Sequence, residues 1–130
     1  MDAIWTKLYN EACKVLKPRK VSEMLETAGV AAAIESVSGK IYVGVCVDGA
    51  CTLGICAERN AIFNMLTNGE DAMKRVIAVN WDKKVMPPCG ACRELMVQLM
   101  PNDYQNIEVM LDYETGEVVK LGDLTPRWWI

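Results

Sequence analysis

Two short segments of this 130-residue chain hold residue types that could do chemistry together, Cys56-Ala57-Glu58-Arg59 and Pro88-Cys89-Gly90-Ala91-Cys92-Arg93. Cys89 and Cys92, at i, i+3, share one side of a helix, so both sulfurs can reach one ion. Cys56 heads a second expected helix and can approach from there. Unpaired N–H groups and partial positive charge at helix N-termini favour thiolate over thiol, and three thiolates suit Zn²⁺, with Zn–S near 2.3 Å as a typical value. Glu58 lies two residues from a ligand without being a preferred fourth one. A carboxylate beside metal-activated water takes and delivers protons, and zinc lowers the pKa of such water to about 7 in open sites. Three protein ligands with a neighbouring carboxylate are the plan of a hydrolytic site, whereas a structural zinc closes with a fourth thiolate.

The chain has no histidine. That excludes Ser-His-Asp hydrolases, Cys-His proteases, HExxH metalloproteases and every His-ligated metal site, because imidazole is the near-neutral base or nitrogen ligand in all of them. Fourteen basic against seventeen acidic residues leave a net charge of −3, and no window concentrates like charges into a polyanion-binding surface, so no nucleic-acid partner is expected. Met-Asp-Ala-Ile-Trp lacks the basic start and apolar run of a signal peptide. No apolar stretch of about 18 residues is present to cross a bilayer. The expectation is a cytoplasmic protein without a membrane partner, in which the six cysteines stay reduced and are available for metal or catalysis.

The elements that must position these residues read as one alternating α/β unit, a single domain over 1–130. Ile4, Leu8, Ala12, Val15 and Leu16 recur at helical spacing and stop before Pro18. Short strands are predicted over 30–34 and 41–47, joined by a turn at Ser38-Gly39-Lys40 into a hairpin whose Cys46-bearing face runs on to Asp48. A helix follows over 56–68 with Asn68-Gly69 as its stop, then a strand over 75–80, a helix over 89–100 between Pro88 and Pro101, and strands over 107–111 and 118–121. The strand-helix-strand succession from Arg75 to Leu111 requires a right-handed crossover and parallel strands. Both cysteine segments start a helix just past a strand's carboxyl end, the edge where open α/β sheets assemble their sites.

Cys-Ala-Glu-Arg followed by Asn-Ala-Ile-Phe, and then Pro-Cys-Gly-Ala-Cys-Arg-Glu, resembles the cytidine deaminase superfamily, in particular its small homo-oligomeric cytidine deaminases and the related blasticidin S deaminases. Residues 30–34 and 39–44 match the first two strands of the family, and the Trp128-Trp129 pair sits where some members have C-terminal aromatics near the pocket. The resemblance implies a three-layer α/β/α fold on a mixed five-stranded sheet and a homotetramer. It implies Zn²⁺ held by Cys56, Cys89 and Cys92, with Glu58 as proton shuttle, acting on a small-molecule amino-heterocycle that loses ammonia. Three thiolates outweigh the metal's charge, and in similar all-cysteine members an arginine hydrogen-bonds them, a role that falls here to Arg59. The substrate side departs from the pattern: where cytidine deaminases typically have Asn-x-Glu to hold the ribose, this chain has Cys46-Val47-Asp48, and the following segment is one residue shorter. Cys46, Asp48 and Trp128 are the candidate substrate contacts. The substrate is a cytidine-like nucleoside, a free aminopyrimidine, another amino-heterocycle or a nucleoside of the blasticidin type.

Blander readings exist for the same residues. Cys46 or Cys51 could close a structural zinc knuckle, Cys89 and Cys92 could be a redox pair, Cys13 fits a core position on the first helix, and Trp128 and Trp129 suit burial or subunit packing as well as stacking. A zinc-binding protein that kept the fold without turnover is the competing functional class.

Overall fold

A computed structural model describes residues 1–130. Helix α1 (Ala3–Val15) leads into strands β1 (Arg19–Ser22), β2 (Leu25–Ser36) and β3 (Ile41–Asp48), then helix α2 (Ala57–Thr67), strand β4 (Met73–Val79) and helix α3 (Gly90–Leu99). A 3₁₀ turn (Tyr104–Asn106), strands β5 (Glu108–Asp112) and β6 (Glu117–Lys120) and the short helix α4 (Leu121–Leu124) complete it. No helix is long and apolar enough to cross a membrane.

The sheet is mixed. β2 is antiparallel to both β3 and β4, β4 pairs parallel to β5, and β5 pairs antiparallel to β6. These are the five expected strands. The sixth is β1, paired antiparallel to the first residues of β2. Thr27 faces Arg19 on one side and Val47 on the other, so β1 lies on the side of β2 that β4 occupies further along. β1 escapes sequence reasoning because Arg19-Lys20-Val21-Ser22 is exposed throughout and shows no alternation for periodicity to detect. β2 starts earlier than the expected 30–34 segment, and its ladder with β3 shifts register between Thr27 and Ala31, where Ala28 takes φ 61°. The expected strand over 118–121 ends at Lys120, and Leu121 instead opens α4 with its side chain fully buried.

Alternation along β2 divides the interior in two. Ala31 and Ala33 join Ile77, Val79 and Met110 against Trp5, Leu8 and Ala12 of α1. Ala32 and Ile34 join Val76, Ala78 and Val109 against Ala57, Ala61, Ile62 and Met65 of α2 and Cys92, Met96 and Val97 of α3. This is the three-layer α/β/α arrangement. The accessible surface, 7169 Å², is close to the roughly 6,900 Å² that size scaling gives for a folded chain of this mass.

Gly44 sets how closely α2 lies on the sheet. A Cβ there would fall 2.3 Å from the Ala61 amide nitrogen and 2.8 Å from the Ala57 carbonyl oxygen, both backbone atoms that cannot swing away. On the same helix Asn60 Nδ2 donates to the Val45 carbonyl (3.0 Å) and Asn64 Nδ2 to the Val43 carbonyl (3.1 Å), tying α2 to β3. Gly44→Ala is expected to destabilise the protein by about 3 kcal/mol or more, since the helix must lift from the strand. Urea denaturation checks this, and a change within about 0.5 kcal/mol would mean that α2 accommodates the methyl.

Candidate metal centre and its cavity

Cys56 is the residue capping α2 and Cys89 the one capping α3, both with extended backbone, while Glu58 and Cys92 lie in the first turns. The chain reaches this geometry because β3 and β4 both run antiparallel to β2, so their carboxyl ends emerge at one edge and each leads into a helix on the same face. Pro87 and Pro88 cannot continue a regular ladder, which ends the extended segment immediately before Cys89.

The sulfurs of Cys56, Cys89 and Cys92 all lie within 4.8 Å of one another. Cys56 Sγ is 3.3 Å from Cys89 Sγ, which is 3.6 Å from Cys92 Sγ, and all three are free thiols. Tetrahedral Zn²⁺ with Zn–S near 2.3 Å separates its sulfurs by about 3.8 Å, so the cluster has the spacing a single zinc ion requires. Cys46 and Cys51 are not part of it, and Cys51 is exposed in a loop with φ 59°. Neither closes a four-thiolate knuckle here. Cys13, partly buried on α1, packs against the opposite face of the sheet.

The electrostatics favour a cation among the sulfurs. Burial raises the Cys56 thiol pKa, with the Arg59 hydrogen bond acting against it. Burial, followed by the negative charges of Glu58 and Cys56, pushes the Cys92 thiol far above its ordinary value. At Cys89 burial also opposes ionisation, but hydrogen bonds from the Cys92 and Ala91 backbone N–H groups and from the neighbouring thiols outweigh it and lower the pKa. That is the helix N-terminus acting on its own capping residue. A divalent cation inverts the unfavourable balance at the other two. Arg59 Nη2 donates to Cys56 Sγ at 3.6 Å, and its hydrogen bonding to Cys56, and then to Cys92, raises the guanidinium pKa. Its buried Nε has no partner.

Cys56 and Cys89 open into a cavity of about 500 Å³ that Glu58, Arg59, Cys46 and Asp48 also line. Glu58 is only 5% exposed, and burial pushes its carboxyl above the ordinary carboxylate range, with a backbone hydrogen bond and then Arg59 pulling it partly back. Cys46 Sγ accepts the Val30 N–H (3.2 Å) beside the register shift of β2 and lies 3.8 Å from Asp48 Oδ2. Trp128 is placed elsewhere. It packs against the core and donates its indole N–H to Glu94 Oε1 on α3 (3.1 Å), as does Trp129 (2.7 Å), so within one chain neither indole lines the cavity. Both have the same acceptor on their own chain, a carboxylate two residues past Cys92 on α3. Arg93 braces the second cysteine segment, donating from Nε to the Pro88 carbonyl (2.9 Å) and from Nη1 to the Leu124 carbonyl (2.9 Å).

Trp81, Met86 and Pro87 line the cavity without having been expected there. The one available signal was position: Trp81 directly follows the predicted strand over 75–80, at the edge that also holds Cys89.

Residues 5–105 match the family model of the cytidine and deoxycytidylate deaminase zinc-binding region. The chain belongs to the cytidine deaminase superfamily. A cytidine deaminase of Halalkalibacterium halodurans is 36% identical over 75 residues, and the match spans 57% of this chain and 57% of that protein. A blasticidin-S deaminase of Bacillus cereus is 31% identical over 100 residues, 70% of this chain and 68% of that one. The crystal structure of the cytidine deaminase from Mycobacterium tuberculosis superposes with a TM-score of 0.78 at 23% identity, covering 99% of each chain, and thus shares the fold. Zinc is the cofactor that the superfamily's metal-binding region and the three-sulfur cluster of this chain jointly support.

Removing one sulfur should unmake the centre. Cys56→Ala is expected to lose zinc on gel filtration while the wild type retains it, and Arg59→Gln to hold zinc about 10- to 100-fold more weakly. Metal analysis and competition with a chromophoric chelator measure both.

Proposed function

We propose that the whole chain, 1–130, is one zinc-dependent deaminase domain that replaces the exocyclic amino group of a cytidine-like aminopyrimidine with oxygen and releases ammonia. The observation that carries this reading is the buried Glu58 carboxyl in the same cavity as the Cys56 and Cys89 sulfurs. A structural zinc site has no need of such a carboxyl, and its burial carries a desolvation cost that a catalytic role accounts for.

In this reading Cys56, Cys89 and Cys92 hold the metal. Bound zinc supplies a Lewis acid that makes water nucleophilic at neutral pH. Glu58 accepts a proton as water adds to the amino-bearing ring carbon and passes it to the adjacent ring nitrogen. It then carries a second proton to the departing amine, so that oxygen stays on the ring and nitrogen leaves as ammonia. Its raised pKa suits a group that must both take and give a proton. Arg59 offsets the thiolate charge, which keeps the metal electrophilic. Asp48, an acceptor at the end of β3, binds hydroxyl or amino donors on the remainder of the substrate, while the Cys46 thiol shapes the wall beside it.

A second substrate, a nucleoside antibiotic of the blasticidin type, is favoured by the Bacillus cereus relative and by Cys46-Val47-Asp48 in place of an Asn-x-Glu pair. Assembly as a homotetramer belongs to the same proposal, supported by the exposed Phe63 and Leu66 of α2. Trp128 would then contact substrate only by leaving Glu94 or from a neighbouring subunit. Cytoplasmic residence fits three ligand thiols that must stay reduced.

Ammonia release from cytidine, deoxycytidine, cytosine, blasticidin S and aminopurines is the direct test. Glu58→Gln should lower kcat on the preferred substrate by about 10²- to 10⁴-fold with zinc content unchanged. Full activity in that variant, or zinc binding without turnover of any substrate, overturns the reading.

A further inference from the structure

Trp81 is a large apolar side chain that the fold itself does not use. It is 64% exposed, and its indole makes no hydrogen bond. Yet the backbone of the loop that carries it is held by several hydrogen bonds. Val79 and Val85 form an isolated bridge, Asn80 N–H donates to the Lys84 carbonyl (2.8 Å), and Lys83 N–H donates to the Asn80 carbonyl (2.8 Å). The Asn80 side-chain oxygen accepts from the Asp82 N–H (2.9 Å) and the Lys84 N–H (3.1 Å). From α1, the Tyr9 hydroxyl donates to the Lys83 carbonyl (2.8 Å), at a residue held in the left-handed region with φ 61°. Tyr9 is itself fixed by stacking on Tyr113, with ring centres 3.8 Å apart and planes within 4°. None of these contacts involves the indole.

The sheet register places Trp81 relative to Asp48. Ala31 of β2 pairs with Val79 of β4 on one side and Val45 of β3 on the other. Trp81 follows Val79 by two residues and Asp48 follows Val45 by three, so they stand on opposite sides of Gly29 and Val30, and all four line the cavity. The sulfurs and Glu58 occupy the side of the cavity where the helices begin. A substrate with its amino group at that end presents its remaining part to an indole face on one flank and a carboxylate on the other. An apolar plane opposite an acceptor-only group is complementary to a substituent with a C–H face and hydroxyl donors, which is the chemistry of a sugar ring.

We infer that Trp81 is a specificity-determining residue, selecting substrates whose aminopyrimidine bears a glycosyl group over the free base, and that Tyr9 is the positioning residue that holds its loop. The inference rests on the deaminase reading for the orientation of the substrate. Because the loop backbone is fixed before the ligand arrives, only the Trp81 side chain remains to be ordered on binding.

The test uses the zinc-loaded full chain, with cytidine and cytosine as probes, and reads calorimetric affinity together with tryptophan fluorescence. Trp81→Ala should weaken cytidine binding about tenfold and cytosine binding at least fivefold less than that. Trp81→Phe should keep most of the cytidine affinity while losing the cytidine-induced fluorescence change. Tyr9→Phe retains the stack on Tyr113 but not the bond to Lys83, and should lower the cytidine-over-cytosine preference, whereas a general loss of stability would weaken both ligands alike. Equal effects of Trp81→Ala on the two ligands, unchanged cytidine affinity, or no binding of cytidine by the wild type overturn the inference. Binding as expected without ammonia release sinks the deaminase reading alone, and deamination of cytidine by Trp81→Ala at the wild-type KM sinks the Trp81 inference alone.

Discussion

The contact between Gly44 and the backbone of α2 governs where the chemistry can sit. A helix resting on β3 with no Cβ between them comes closer than ordinary side-chain packing allows, and its axis is then held by two asparagine amides on strand carbonyls. Fixing α2 also fixes its first turn, and with it the Cys56 sulfur, the Glu58 carboxyl and the Arg59 guanidinium. A shift of about 1 Å at a helix N-terminus is large against a metal-ligand distance of about 2.3 Å. The stability of the α2-sheet layer and the geometry of the metal centre are therefore one constraint.

Charge is the second organising force. Three cysteines brought within 4.8 Å of one another, with a buried glutamate beside them, would be an unfavourable cluster of acids at the wall of a cavity. The fold answers with two helix N-termini, one arginine bonded to the thiols and a geometry that fits a divalent cation. Arg93 acts at one remove. It ties the carbonyl preceding Cys89 to the end of α4, so the second cysteine segment is held by the C-terminal part of the chain as well as by its own helix.

Most of the layer plan was legible because it rests on strong local signals: helical spacing of apolar residues in α1, α2 and α3, alternation in β3, and proline or glycine at their ends. The cysteine cluster was legible for the same reason, since i, i+3 spacing on a helix and a Cys-x-Glu start have few alternative readings. β1 was not, because an exposed edge strand needs no hydrophobic alternation and is defined only by the partner it pairs with. The early part of β2 was hidden by the register shift around Ala28. Trp128, a candidate substrate contact from the sequence, lies away from the cavity, and Trp81, for which the sequence suggested no role, lines it. An indole N–H seeks an acceptor, and Glu94, far away in sequence, supplies one for Trp128 and Trp129, while Trp81 has none and is left facing the cavity.

The sequence by itself determined the ligand type, because a chain without histidine can offer zinc only thiolates and carboxylates, and it determined which cysteines share a helix face, because that follows from 3.6 residues per turn. It also determined the family, through two short motifs whose spacing is chemically restrictive. Only the tertiary structure decided that Cys46 and Cys51 stay outside the cluster, that Trp128 turns to Glu94, and that Trp81 and Asp48 line one cavity from the two strands that flank β2. Those outcomes depend on strand register and on hydrogen-bond partners far apart in the chain, and neither is written in the local pattern of residues around the site.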